Sequence, residues 1–291
     1  MTRALRIFRR SPTAVLGLVI LLGMLFMGLL APLLSPKSPT RQDIMSALAP
    51  PVWSAKGTWD HPLGTDHLGR DVWSRVAHGA RISILVAFSA TVVSALIGVL
   101  LGVIAGYFGG AVEHVILRVA DLQLAFPMIL LALALVAILG PSLGNLILVM
   151  GVTGWMMYTR VVRALVLSLR EREFVLAARA IGAGDWLILF RHIIPNVMNA
   201  SLVMLTLELA RMILMESSLS FLGLGVPPPT PTWGRMLSES RTYMTTAYWM
   251  ITFPGIAISL TVLGMNLFGD GMRDALDPKM SRFAGKLQER Q

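Results

Sequence analysis

The chain has no cysteine, which removes disulfides, thiol nucleophiles and cysteine-bound metal from consideration. It is also poor in charge. Only 14% of its 291 residues are Asp, Glu, Lys or Arg, against about 25% in an ordinary soluble domain. Lysine is confined to Lys37, Lys56, Lys279 and Lys286, so the net charge of +9 comes almost wholly from arginine. Those arginines cluster at the ends of apolar runs and form no basic face interleaved with aromatics, which argues against nucleic acid as a partner. The sequence contains no G-x-x-x-x-G-K-[ST] phosphate loop. Its histidines, His61, His67, His78, His114 and His192, never pair four apart on an apolar run, so no histidine metal site is expected. No pairing of nucleophile and base suggests catalysis, and the expected chemistry is non-enzymatic.

What the chain does have is apolar length. Hydrophobic residues make up 55% of it and the mean hydropathy is +0.69. A soluble core could not hide that much apolar surface, because surface grows nearly as fast as volume. Lipid is the expected solvent, and an all-α membrane protein the expected class. The first run, Pro12 to Leu34, carries no charge. Its length of about 35 Å covers the ~30 Å hydrocarbon layer. It exceeds a signal-peptide core and lacks a clear cleavage site, so it is expected to stay as a span. Further runs at Ile82–Gly106, Leu122–Leu139, Asn145–Leu169, Val197–Leu214 and Trp249–Phe268 bring the expected total to about six. Arg160 and Arg163 interrupt the fourth and are expected to snorkel to headgroups.

An even number of spans places both termini on one side. With that side taken as cytoplasmic, the inner segments carry sixteen Lys and Arg and the outer segments seven. The positive-inside rule therefore favours cytoplasmic termini. The long segments between spans are then an outer loop of about Ser35–Ala80, an inner loop of about Arg170–Asn196 and a second outer loop of about Ser217–Tyr248. In the first, Asp66, Arg70 and Asp71 are expected to make a local turn, with an Asp71–Arg75 pair on the following helix, or to serve subunit packing, the alternative being a contact with a separate protein on the outer side. On the second span, Gly98, Gly102 and Gly106 repeat every four residues and permit close helix approach, within the chain or to another subunit.

The inner loop carries the clearest pattern. Phe174, Ala177, Ala178 and Ile181 fall at i, i+3, i+4, i+7 and predict one small apolar face on a short helix. Gly182 is its expected stop. Ser168 and Glu171 have capping-box spacing, although the preceding span could run through them. Asp185 is expected to cap a second short helix, Trp186–His192, which Pro195 ends by disfavouring the helical region at Ile194. Such an element either docks into a groove of a partner or lies flat on the membrane. In the fifth span, Glu208 and Arg211 share a helix face at a depth where an isolated charge is costly. They are expected either to satisfy each other or to line a translocation path.

These residues resemble a known family. Ala177-Ala178, three residues, Gly182, eleven residues and Ile194-Pro195 resemble the EAA loop of permease subunits of bacterial ABC importers, with Leu176 where the motif has Glu and His192 where it often has Ile. The stretches His61–Asp71, Gly106–Gly110, Leu219–Gly225, Pro227–Leu237 and Asn266–Pro278 are similar to the C-type permease of the dipeptide, oligopeptide and nickel branch, and the likeness covers roughly Pro12 to Lys279. The resemblance implies the type I ABC importer permease fold, with about six transmembrane helices in the bacterial inner membrane. It divides the chain into residues 1–80 (tail, first span and periplasmic loop), 81–280 (core permease domain with coupling loop 170–196) and 281–291 (cytoplasmic tail). It implies a pore subunit for di- or oligopeptides or, on the same scaffold, nickel, glutathione or another small solute. The implied partners are a second homologous permease subunit, two ATP-binding subunits, a periplasmic substrate-binding protein and membrane lipid. ATP and Mg would bind the partner ATPases, with no cofactor on this chain. Phe174, Ala177, Ala178, Gly182 and Pro195 would belong to the ATPase-coupling loop, and Glu208 and Arg211 to the translocation path.

Overall fold

The computed structural model describes residues 11–276. The arginines before Ser11 and the basic residues from Lys279 onward, which are among the sixteen inner Lys and Arg, lie outside the described residues, as do the tail 281–291 and the end of the 81–280 unit.

Eleven α-helices are described. They are α1 (Pro12–Leu29), α2 (Ala31–Leu34), α3 (Val72–Phe108), α4 (Gly110–Leu124), α5 (Met128–Leu139), α6 (Leu143–Arg170), α7 (Glu173–Ala180), α8 (Asp185–Ile188), α9 (Ile194–Phe221), α10 (Trp233–Ser240) and α11 (Trp249–Leu276). Four of them are long and apolar enough to cross a membrane, or up to six if each of two bent helix pairs counts as one span. Among the described residues the only β-type pairing is an isolated antiparallel bridge between Thr65 and Asp71.

Local chemistry sets the long helices' starts. Ser11 caps α1, with Pro12 at its first position, where the missing N–H costs nothing. Ser142 caps α6 by accepting from the Asn145 amide at 3.1 Å. The second span departs most from its expected extent. Helix α3 begins ten residues before Ile82, at Val72, behind the cap residue Asp71, whose carboxylate accepts the Ser74 amide at 2.7 Å. Its 37 residues reach about 55 Å, longer than the bilayer core. The end carrying Arg75 therefore stands clear of the hydrocarbon.

The third span is not one helix. Helices α4 and α5 meet at 89°, with Pro127 in an extended conformation between them. Proline removes a backbone donor and disfavours the helical region before it, which turns the charge-free run Leu122–Leu139 into a corner. Alone, α5 has 12 residues, about 18 Å, too short to cross.

The α3–α6 contact is the tightest in the bundle. A Cβ on Gly102 would lie 2.7 Å from that of Val162, and one on Gly106 would lie 2.8 Å from that of Val166. The Thr159 hydroxyl donates to the Gly98 carbonyl at 3.1 Å. The glycine repeat thus serves packing inside the chain, and its alternative use against another subunit is not needed. Arg160 and Arg163 also differ from expectation. They form ion pairs with Asp121 and Glu113 of α4, so carboxylates on a neighbouring helix, rather than lipid headgroups alone, receive them.

Candidate functional site

The loop after α6 is built as an elbow at one end of the bundle. Helix α6 runs on to Arg170, so Glu171 stands at its C-terminus and the Ser168/Glu171 spacing caps nothing. Helix α7 ends in a Schellman motif. The Ala183 amide donates to the Ala178 carbonyl at 3.0 Å and the Gly182 amide to the Arg179 carbonyl at 2.9 Å. Gly182 has φ +82°, the left-handed region that a β-carbon disfavours, so this stop has the expected residue and mechanism.

The second half of the elbow is arranged differently from expectation. Gly184, not Asp185, is the cap residue of α8. The Asp185 carboxylate is free to accept from the Tyr107 hydroxyl, at 2.7 Å, at the end of α3. The chain does not break at Pro195. Leu189–Ile193 makes a π-helical turn, Ile194 is helical at φ −55°, ψ −47°, and Pro195 lies in the first turn of α9. There its missing N–H falls among the donors that a helix start leaves unpaired. The wider π turn makes room for the proline ring, and the elbow runs on into α9 without a break, the 45° bend falling beyond Met198, within α9.

The elbow has two faces. Val175, Ala178, Ile188, Leu189 and Ile193 are buried together with Val103 and Tyr107 of α3 and Val162 and Val166 of α6. The guanidinium of Arg179 lies over the Tyr107 ring, 5.4 Å from its centroid. The other face is bare and apolar: Ile181 is 86% exposed, Trp186 70% and Phe190 64%, with Phe174, Leu176 and Leu187 about half exposed. Trp186 and Phe190 stack on each other at 6.1 Å between centroids. The expected face of Phe174, Ala177, Ala178 and Ile181 therefore splits. Ala178 turns inward, Phe174, Ala177 and Ile181 turn outward, and Val175 supplies the inner packing instead. The pattern i, i+3, i+4, i+7 fits both a buried and a docking stripe, and α7, with eight residues, is too short for periodicity to separate them.

In the membrane, Arg211 donates to Glu208 Oε1 from Nη2 at 2.7 Å and from Nε at 3.2 Å. Glu208 is 8% exposed, while Arg211 borders a cavity of about 350 Å³ with Pro127, Met128, Ile129, Leu214, Met215 and Ser218. The pair satisfies itself and also faces the corner where α4 and α5 break. Toward the far end of α9, Glu216 is fully buried, and its Oε1 accepts from the Ser220 hydroxyl at 2.7 Å. The apolar-run criterion stopped at Leu214 and missed it.

The opposite end of α3 carries a buried ion cluster. Arg70 Nε donates to Asp66 at 2.6 Å, and Arg70 Nη2 and Arg75 Nη1 each reach Glu239 Oε2 at 2.7 Å. Arg75 also pairs with Asp66, and Arg235 reaches Glu239 Oε1 at 3.0 Å. The expected Asp71–Arg75 pair does not form, because Asp71 is committed to the helix cap and to His61 Nδ1 at 2.9 Å. Burial works against the Glu239 charge, but Arg75, Arg70 and Arg235 together hold its carboxyl below the usual carboxylate range. Asp66, His67 and Glu239 place ligand-type atoms within 4.8 Å of one another, yet the arginines already take these carboxylate oxygens. The cluster clamps the 35–71 segment to α10. Trp233, fully buried, completes the clamp by donating from Nε1 to the Val76 carbonyl at 3.0 Å.

Clamp and elbow thus sit at opposite ends of a helix longer than a bilayer core is thick. Residues 98–282, which include the elbow and both bent regions near it, match the model of binding-protein-dependent transport system inner membrane components. The chain belongs to this family. It is a multi-pass inner-membrane permease component. Residues 1–51 separately match the N-terminal transmembrane domain of oligopeptide transport permease C. Similar proteins include the di/tripeptide transport system permease protein of Pseudomonas aeruginosa (strain UCBPP-PA14), 43% identical over 95% of this chain and 91% of that one. The dipeptide transport system permease protein of Escherichia coli (strain K12) is 47% identical over 94% and 92%. The oligopeptide transport system permease protein of Bacillus subtilis (strain 168) is 40% identical over 94% and 88%.

Proposed function

We propose that this permease component forms one half of the pore of an ATP-driven importer of di- and oligopeptides. The observation that carries the substrate class is the chain-long identity to permeases of dipeptide and oligopeptide transport systems. In this reading the chain pairs with a second homologous permease subunit, receives peptide from a periplasmic binding protein, and is driven by two ATP-binding subunits that hold ATP and Mg. Both termini are cytoplasmic, which puts the elbow on the ATPase side and the ion cluster on the side of the binding protein.

The two-faced elbow supports the coupling role. Phe174, Ala177 and Ile181, joined by Trp186, Leu187 and Phe190, offer an apolar surface to a groove on an ATPase. Ala178 and the packing beneath it transmit force to α3 and α6. Gly182 sets the angle of the elbow, and Pro195 starts the helix it pulls. Closure of the ATPases displaces this surface, and the buried packing obliges α3, α6 and α9 to follow. Glu208 and Arg211 lie on α9 beside a cavity, where the guanidinium is placed to meet a peptide carboxylate and the carboxylate holds it in position.

The test is uptake of labelled dipeptide and of nickel by cells that lack the native gene and carry either the wild type, Ala177→Asp or Gly182→Asp. The wild type restores dipeptide uptake and not nickel uptake. The two variants reach the membrane but hydrolyse ATP without uptake. Restoration of nickel uptake alone would sink the substrate class, and wild-type uptake by both variants would sink the elbow's role.

A further inference from the structure

Ten residues into α3, Arg81 stands where the charge-free stretch of that helix begins, and its side chain is exposed. Among the described residues it has no hydrogen bond, ion pair or ring contact. Its backbone is pinned at a helix crossing, where a Cβ on Gly28 of α1 would lie 3.0 Å from the Arg81 amide nitrogen. From that crossing an apolar groove of about 470 Å³ runs between α1 and α3, lined by Leu25, Leu29, Ile84, Leu85 and Phe88, with Arg81 at its α3 N-terminal end. Four of these side chains, Leu25, Leu29, Leu85 and Phe88, are exposed. Helix α1 is peripheral, with only 22% of its apolar window buried inside the protein.

Depth and direction identify what lies over the groove. From Arg81 to Phe108, where α3 ends, the helix rises about 40 Å, close to the ~40–45 Å between headgroup layers. Helical side chains lean toward their own N-terminus, so the Arg81 guanidinium reaches away from the bilayer centre, toward the side of the 35–71 segment. A cation at this boundary needs a counter-ion, and the described chain supplies none. A phosphodiester matches the planar guanidinium fork and arrives attached to chains that fit an apolar groove. A helix from another subunit could cover the leucines and Phe88 but would leave the guanidinium unpaired unless it carried a carboxylate.

We propose that this groove is a phospholipid site. Arg81 binds the phosphate of an anionic phospholipid in the leaflet facing the 35–71 segment, and one acyl chain lies along Leu25, Leu29, Leu85 and Phe88. The lipid packs α1 onto α3 at the edge of the assembly.

The test places the full chain, with the subunits that accompany it, in nanodiscs containing phosphatidylglycerol with a diazirine on its acyl chain. Photolabelled peptides are mapped by mass spectrometry, and size exclusion confirms that each variant stays assembled. Label is expected on the Leu25–Leu29 and Leu85–Phe88 stretches. Arg81→Gln should reduce it about tenfold, the loss of one charge-assisted contact, while Arg81→Lys retains most of it. Leu85→Trp, which fills the groove and leaves the charge in place, should also reduce it. Equal labelling of wild type and Arg81→Gln, or photolabel absent from the groove while it cross-links to another subunit, would overturn the proposal.

Discussion

Replacing Ile188 by Ala should loosen the elbow without unfolding the bundle. Ile188 has no exposed surface and packs among Val175, Ala178, Leu189 and Ile193 against α3 and α6. Helix α8 has only four residues, far below the length at which a helix stands alone, so tertiary contacts hold it. A buried Ile→Ala change costs about 2–5 kcal/mol, the lower part of the range where neighbours collapse into the space. The elbow sits at a protein edge, so about 2–4 kcal/mol is the working figure. That loss raises the open fraction of the loop roughly 30- to 700-fold. Amide exchange across 185–193, measured by mass spectrometry in detergent, should accelerate by that order while α3 and α6 stay protected. Peptide imported per ATP hydrolysed should fall in parallel. Ile181→Ala is the control, because Ile181 is 86% exposed, and it should leave exchange unchanged in the isolated chain. Exchange in Ile188→Ala within about threefold of wild type would refute the idea that inward packing holds the elbow.

Other perturbations address other parts of the molecule. Glu239 titrates below its ordinary value of 4.5 because of its arginines, so its contribution is complete above that value and is lost as pH falls through the lower folded one. Proteolytic resistance of the 35–71 segment should therefore hold from neutral pH to about pH 5 and drop in stronger acid, and Glu239→Gln should weaken it at neutral pH and flatten that drop; an unchanged acid limb would contradict this. Gly102→Leu should lower the yield of folded protein severalfold by fluorescence size exclusion, since even a Cβ there lies 2.7 Å from Val162; normal yield would mean that α3 and α6 are not packed this closely. Tyr107→Phe removes the hydroxyl that holds Asp185 at 2.7 Å and should cost about 1–2 kcal/mol of local order, seen as faster exchange at 184–188. Glu208→Gln should lower peptide uptake at constant membrane level by freeing Arg211, and unchanged uptake kinetics would remove the pair from the path.

Sequence pattern and fold agree where one residue decides locally. Gly182 stops α7 because only its backbone geometry matters there, and the Gly98–Gly102–Gly106 spacing marks the α3–α6 contact because small residues have few other uses at that period. The extent of α3 was hidden, because Arg75 and Arg81 end the apolar run while the Asp71 cap lies beyond it. The corner between α4 and α5 had a signal in Pro127, overridden by the apolar run around it. Arg160 and Arg163 look like headgroup anchors until Asp121 and Glu113 are brought beside them, which no linear pattern encodes. The same is true of Glu239, which joins Arg70 and Arg75 from well over a hundred positions away. In the elbow, the sequence pattern locates the element and its apolar character. Which apolar residues face inward depends on where α3 and α6 stand, so the periodicity does not single out Val175 and groups the inward-facing Ala178 with the outward-facing Phe174, Ala177 and Ile181.

The absence of native cysteine makes the deciding measurement clean. Ile181→Cys, at the most exposed large apolar side chain of the elbow, is introduced into the full chain in cells, treated with a membrane-impermeant maleimide, and then cross-linked with a short bifunctional reagent. A cytoplasmic, ATPase-docked elbow is protected from reagent added outside and gives a cross-link to an ATP-binding subunit that weakens when ATP turnover is blocked in one state. Labelling from the periplasmic side, or cross-links to membrane subunits alone, would contradict it.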